Sequence, residues 1–151
     1  MKMDLTGKAA IVTGGSKGIG RAIAEALVQV GVDVCISARK RSEIDETVAS
    51  LAKLKQGRVT GIVGDVRDHS QVKAVFERTV SQFGGVDILI NNAGTIRRAP
   101  AVDYSDEDWA TVIEVNLSSV FRLSKLAGKQ MIDNGRGGKI VNIASLLSFQ
   151  G

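Results

Sequence analysis

Thr13-Gly14-Gly15-Ser16-Lys17-Gly18-Ile19-Gly20 joins an apolar run, Ala9-Ala10-Ile11-Val12, to a segment of helical spacing. In that segment Ile19, Ile23, Ala26, Leu27 and Val30 share one stripe, closed by Gly31. Glycines 14, 18 and 20 thus read G-x-x-x-G-x-G between a strand and a helix. Glycine permits positive φ and close backbone approach. A helix beginning near Gly18 offers free N–H groups and its positive dipole end to a phosphate. The plain alternative is a tight structural turn. No Lys-Ser/Thr pair follows the last glycine, so this is not the P-loop of nucleoside triphosphatases.

Outward from this turn the same unit recurs. Val32-Ile36, Val59-Val63, Val86-Ile90 and Ile140-Ala144 are short, Val/Ile-rich runs without clean alternation, as expected of strands buried on both faces. Between them lie two further helical stripes: Ile44, Val48, Leu51 and Leu54, ending at Gly57, and Val72, Val75, Phe76, Val80 and Phe83, ending at Gly84-Gly85. A fourth and longest helix is predicted from about Ser105 to Ile132, opened by Ser105 as N-cap and by Asp106, Glu107 and Asp108. Four β-α units and a fifth strand predict a parallel, doubly wound α/β sheet with right-handed crossovers and helices on both faces. After the fifth strand only Leu146 to Gly151 remain, too few for a covering helix. That strand is therefore expected to be an exposed apolar edge and the single domain, residues 1–151, to be incomplete at its C-terminus.

The composition sets bounds. The chain has 151 residues, a net charge of +4, 44% hydrophobic and 24% charged residues, which is an ordinary globular balance. One cysteine, Cys35, excludes an intrachain disulfide and a cysteine zinc site, and one histidine, His69, argues against a His-rich metal centre or a His-dependent triad. No metal site is expected. No apolar run approaches membrane-spanning length. Met1-Lys2-Met3-Asp4 leads into polar residues without a signal peptide's apolar stretch, so a cytoplasmic protein is expected. Lys and Arg are dispersed and aromatics are only 4%, which disfavours a nucleic-acid partner.

In a doubly wound sheet, ligands bind beyond the carboxyl ends of the strands. Here all five ends carry small or polar residues: the glycine turn, Ser37 to Arg41, Gly64-Asp65-Val66, Asn91-Asn92-Ala93-Gly94, and Ser145. They predict one shared dinucleotide crevice holding Gly14, Ser16, Lys17, Gly18, Ile19, Gly20, Arg39, Asp65, Val66, Asn92, Ala93 and Gly94. A ribose 2′-hydroxyl wants a carboxylate near the end of the second strand, and a 2′-phosphate wants arginine. Between Ser37 and Arg41 there is no acid, and Lys17 adds a second cation. NADP(H) is therefore preferred, with NAD(H) open; a solvated helix start is the alternative for Arg39-Lys40-Arg41. Asp65 could accept from an adenine amino group or cap a turn.

On the fourth helix Trp109, Val112, Ile113, Val120, Leu123 and Ala127 form the expected apolar stripe, and Asn116 falls on it. A buried amide needs partners, since leaving it unpaired costs on the order of 1–3 kcal/mol. Asn116 is then either a satisfied core amide or a group that orders water or a catalytic side chain. Asn116-Leu117-Ser118 matches a glycosylation sequon, but lies within a helix. Cys35 reads as a small core residue and His69 as a surface residue at a helix start.

Together, Thr13-Gly14 through Gly20, Asn91-Asn92-Ala93-Gly94, Asn116 and Asn142-Ile143-Ala144-Ser145 resemble the classical short-chain dehydrogenases/reductases, in order and spacing along the whole chain. NNAGTIRR at 91–98 and GGKIVNIASLLSFQG at 137–151 are similar, more narrowly, to the branch of 2-deoxy-D-gluconate 3-dehydrogenases, also called 2-dehydro-3-deoxy-D-gluconate 5-dehydrogenases. The resemblance implies a Rossmann-type sheet of which these are the first five strands, in order 3-2-1-4-5, of a normally seven-stranded whole. It implies hydride transfer between NAD(P) and a sugar-acid carbinol or ketone, and a homo-tetramer at full length. It maps the serine that hydrogen-bonds the substrate oxygen onto Ser145 and the water-ordering asparagine onto Asn116. The family's Tyr-x-x-x-Lys acid/base pair would fall roughly a dozen residues after Ser145, beyond Gly151. Tyr104, the only tyrosine, has Asp108 four residues on and is no substitute. The 151 residues alone are expected to be inactive. Arg97 and Arg98 could pair with a sugar-acid carboxylate or simply lie at the surface. Two other function classes remain: a non-catalytic dinucleotide-binding module, and a unit completed by another chain.

Overall fold

The computed structural model describes residues 4–149. The start Met1 to Met3 and the last two residues of the family-like segment, Gln150 and Gly151, lie outside the described residues. Strands β1 (Ala9–Thr13), β2 (Asp33–Ala38), β3 (Val59–Val63), β4 (Ile88–Asn91) and β5 (Lys139–Asn142) form one sheet in the order β3-β2-β1-β4-β5, every pairing parallel. Helices α1 (Gly18–Gln29), α2 (Arg41–Ala52), α3 (His69–Phe83), α4 (Asp106–Ile113) and α5 (Ser119–Asp133) make or contribute to the crossovers. This is the predicted Rossmann-type arrangement.

Strand periodicity explains the two layers. Successive side chains point to opposite faces. Ala10, Val12, Val34, Ile36 and Ile90 pack with Ala24 and Val28 of α1 and Ile44 and Leu51 of α2. Ile11, Cys35 and Leu89, from the same strands, pack with Val72, Val75 and Phe76 of α3 and Leu123, Ala127 and Met131 of α5. The central strands read as unbroken apolar runs because both faces are covered.

The helix ends follow local chemistry. Asp68 caps α3, accepting from the N–H groups of Ser70 at 2.8 Å and Gln71 at 3.1 Å. Gly84, with φ +82°, ends it. Ser105 caps α4 by accepting from the Asp108 N–H at 3.1 Å. His69 is exposed, as expected.

Three expectations need correction. The fourth helix is not continuous: a π-helical turn at Glu114–Ser118 separates α4 from α5. Trp109 is 62% exposed rather than part of a buried stripe, because nothing covers α4, which has no buried residue on any face. Asn116 is likewise exposed, so it is not a core amide. β5 ends at Asn142 and pairs only with β4, and its residues are exposed, as expected of an apolar edge strand. Among the described residues, no helix is long and apolar enough to cross a membrane.

Candidate functional site

The carboxyl ends of β1 and β4 are locked together by side chains. Thr13 Oγ1 accepts from the N–H groups of both Asn92 and Ala93 at 3.0 Å. Asn92 Nδ2 donates to the carbonyls of Thr13 at 3.0 Å and Gly14 at 3.3 Å. Asn91 ties β4 to β5, donating to Asn142 Oδ1 at 2.8 Å, and reaches Ser124 Oγ at 3.2 Å.

This lock leaves no room for a side chain at Gly14 or Gly20. Gly14 has φ +63°, and a Cβ there would stand 2.9 Å from Asn92 Nδ2. A Cβ on Gly20 would stand 2.5 Å from the same nitrogen. The two glycines therefore let α1 start directly against the ends of β1 and β4. No side chain caps that start: Lys17 is the N-cap, in extended conformation, and makes no side-chain cap hydrogen bond.

In front of this turn lies a cavity of about 320 Å³. Its lining includes the predicted residues Gly14, Ser16, Lys17, Arg39, Asp65 and Val66, together with Asn92, Ala93 and Gly94. Gly18, Ile19 and Gly20 form the first turn of α1 beside it and do not line it. Ser145 and Asn116 do not line it either. Ser145 follows β5 at the same rim and caps a short 3₁₀ turn, its Oγ accepting from the Leu147 N–H at 3.2 Å. Asn116 sits in the π turn and pairs with Thr95, which does line the cavity.

The chemistry of the lining fits a dinucleotide. Backbone N–H groups at an uncapped helix start suit a pyrophosphate. Arg39, Lys17 and Lys40 put cations where β2 ends, suiting a 2′-phosphate. Asp65 Oδ1 accepts from the Arg67 backbone N–H at 3.0 Å, and the Arg67 guanidinium spans both carboxylate oxygens, with Nη2 to Oδ2 at 2.7 Å. Those hydrogen bonds hold the Asp65 carboxyl below the ordinary carboxylate range. Arg97 lines the cavity, but its Nε already donates to Asp108 at 3.1 Å and its Nη1 to Thr95 Oγ1 at 3.0 Å. Arg98 is exposed. Among the described residues no group of His, Cys, Asp and Glu could hold a metal.

Sequence inspection missed Glu43, Arg67, Thr95, Thr111 and Val115 in the lining. Arg67 had a usable signal, two residues from Asp65. Glu43 had none, since it lies beyond the basic cluster on a helix whose tilt the sequence does not reveal.

Residues 8–151 match the profile of the short chain dehydrogenase family. The chain is 43% identical over 149 residues to the 2-dehydro-3-deoxy-D-gluconate 5-dehydrogenase of Escherichia coli (strain K12), covering 98% of this chain and 57% of that one. It is 39% identical to the 3-oxoacyl-acyl-carrier-protein reductase of the same organism, covering 99% of this chain and 59% of the relative. A short chain dehydrogenase from Mycobacterium smegmatis of known structure superposes with a TM-score of 0.93 at 37% identity, over 100% of this chain and 65% of that chain. The chain thus spans less than two thirds of the length of these relatives. Profile, relatives and fold agree that the chain belongs to the short chain dehydrogenase family.

Proposed function

We propose that the protein is an NAD(P)-dependent oxidoreductase acting on a sugar-acid carbinol or ketone, such as 2-deoxy-D-gluconate, and that residues 1–151 are its dinucleotide-binding domain. The observation that carries this is the single cavity in which the glycine turn, Arg39, Asp65 and Asn92 to Gly94 meet. When bound, the nicotinamide supplies or accepts the hydride. Gly14 to Gly20 receive the pyrophosphate, Arg39 and Lys17 favour NADP(H) over NAD(H), and Asp65 with Val66 borders the adenine.

Asn116 is a positioning residue, and Ser145 hydrogen-bonds the substrate oxygen. The sugar-acid substrate rests on the name of the relative at 43% identity. The reductase at 39% makes a 3-oxoacyl thioester the ketone to test beside it. A cytoplasmic homo-oligomer accompanies this reading, with exposed Trp109, Leu117 and Phe121 offering an apolar face for a second copy.

General acid/base catalysis contributes roughly 10²–10⁴-fold, and Tyr104, followed by Asp108, supplies no Tyr-x-x-x-Lys pair. The 151 residues therefore bind nucleotide without turnover. Fluorescence titration should give saturable NADPH binding, tighter than NADH. A reduction assay with 2-dehydro-3-deoxy-D-gluconate should give no product above the blank. Absence of binding refutes the site, and measurable reduction refutes the assignment of the acid/base pair.

A further inference from the structure

The basic end of β2 is not purely basic in three dimensions. Glu43, in the first turn of α2, folds back over the glycine turn and lines the same cavity as Ser16, Lys17, Arg39 and Lys40. Its Oε2 accepts from Ser16 Oγ at 3.3 Å. Its Oε1 lies 3.1 Å from Lys40 Nζ and 3.9 Å from Lys17 Nζ. The position is anchored from below, because buried Thr47, one turn further along α2, donates from Oγ1 to the Ser16 carbonyl at 2.8 Å. α2 and the glycine turn are thus stitched together twice.

We infer that Glu43 is a cofactor-discriminating residue, a built-in anion that competes with the 2′-phosphate of NADP(H) for Lys17 and Lys40. This rests on the proposed dinucleotide site but not on its preference for NADP(H). The carboxylate pairs with two of the three cations on which that preference depends, and it repels a phosphate placed between them. A ribose 2′-hydroxyl meets no such repulsion and finds in Glu43 an acceptor. The site therefore discriminates less against NAD(H) than Arg39, Lys40 and Lys17 alone would dictate. Bonding to Lys40 holds the Glu43 carboxyl below the ordinary glutamate range, so the anion persists at neutral pH.

The test is Glu43→Gln, which keeps an acceptor for Ser16 and removes the charge. Binding to the 151-residue chain is measured by titration with NADPH, NADH, 2′,5′-ADP and 5′-AMP. Each exposed ion pair is worth less than about a factor of ten. Releasing two lysines and one repulsion should therefore tighten NADPH and 2′,5′-ADP roughly three- to tenfold, with NADH and 5′-AMP unchanged or weaker. Glu43→Ala must move the ratio in the same direction, with circular dichroism confirming the fold. An unchanged NADPH-to-NADH affinity ratio in both variants overturns the inference. If the unaltered protein binds NADH as tightly as NADPH yet Glu43→Gln shifts the ratio toward NADPH, Glu43 keeps its role and only the NADP(H) preference falls.

Discussion

Asn116 and Thr95 hold each other by a reciprocal pair of hydrogen bonds: the Thr95 N–H donates to Asn116 Oδ1, and Asn116 Nδ2 donates to the Thr95 carbonyl, each at 2.9 Å. The amide behaves as a surrogate strand neighbour for a segment that has left the sheet. π turns recur at functional sites because they redirect single side chains without ending a helix. Here the redirected side chain fixes the segment after β4, from which Thr95 and Arg97 reach the cavity.

Asn116→Ala removes both bonds. The pair is exposed to solvent, so the cost to global stability should be small, about 1 kcal/mol. The local effect should be larger. Hydrogen exchange at the Thr95 amide should accelerate well beyond that of Leu89 or Ile90 in β4, and NADPH binding should weaken severalfold. Equal acceleration at all three amides would instead mean global destabilisation.

Arg39→Asp replaces the cation nearest the end of β2 with the carboxylate that a ribose 2′-hydroxyl prefers. NADPH affinity should fall by roughly tenfold or more, the scale of one lost charge-assisted bond, while NADH affinity holds or rises. Parallel titrations measure the ratio, and an unchanged ratio contradicts the phosphate site.

Asp65 ties stability to pH. Hydrogen bonding from Arg67 depresses its carboxyl in the folded state. The stabilisation is therefore fully present above the unfolded-state value of about 3.9 and is lost as pH falls through the folded value. Urea midpoints of the parent should exceed those of Asp65→Asn by a constant margin above about pH 5, and the margin should shrink under more acidic conditions. A margin independent of pH would show that the carboxylate charge contributes nothing.

Cys35 lies within β2 with no exposed surface, and burial pushes its thiol up to about 11. A low thiolate fraction and lack of access both suppress reactivity. A disulfide reagent at neutral pH should label Cys35 only at the rate of unfolding, and labelling within seconds in native buffer would contradict the buried placement.

The alternating layers were legible because they depend on short-range patterns. Ala9-Ala10-Ile11-Val12 and the stripe from Ile19 to Val30 announce strand and helix by composition and period, and Gly14 to Gly20 announce the turn. The clustering of Asn92, Asp65 and Arg39 also follows once the sheet is parallel, since every strand then ends at one rim. What the sequence hid depends on small angles between elements. A π turn differs from an α turn by one residue, and the helical spacing through Asn116 does not register it. Glu43 reaches Ser16 only because α2 leans over the first turn, a tilt fixed by Thr47 and by the packing of Ile44 and Leu51. Trp109 looked like a core residue by spacing, but its exposure is decided by what covers the helix.

The most direct test is amide chemical-shift mapping of the isotopically labelled chain during NADPH titration. Saturable shifts should centre on Gly14 to Gly20, Arg39, Asp65-Val66 and Asn92 to Gly94, leaving the amino-end residues Arg58 and Gly85 unmoved. Shifts centred on the opposite edge of the sheet, or none at saturating NADPH, would contradict a dinucleotide site at this rim.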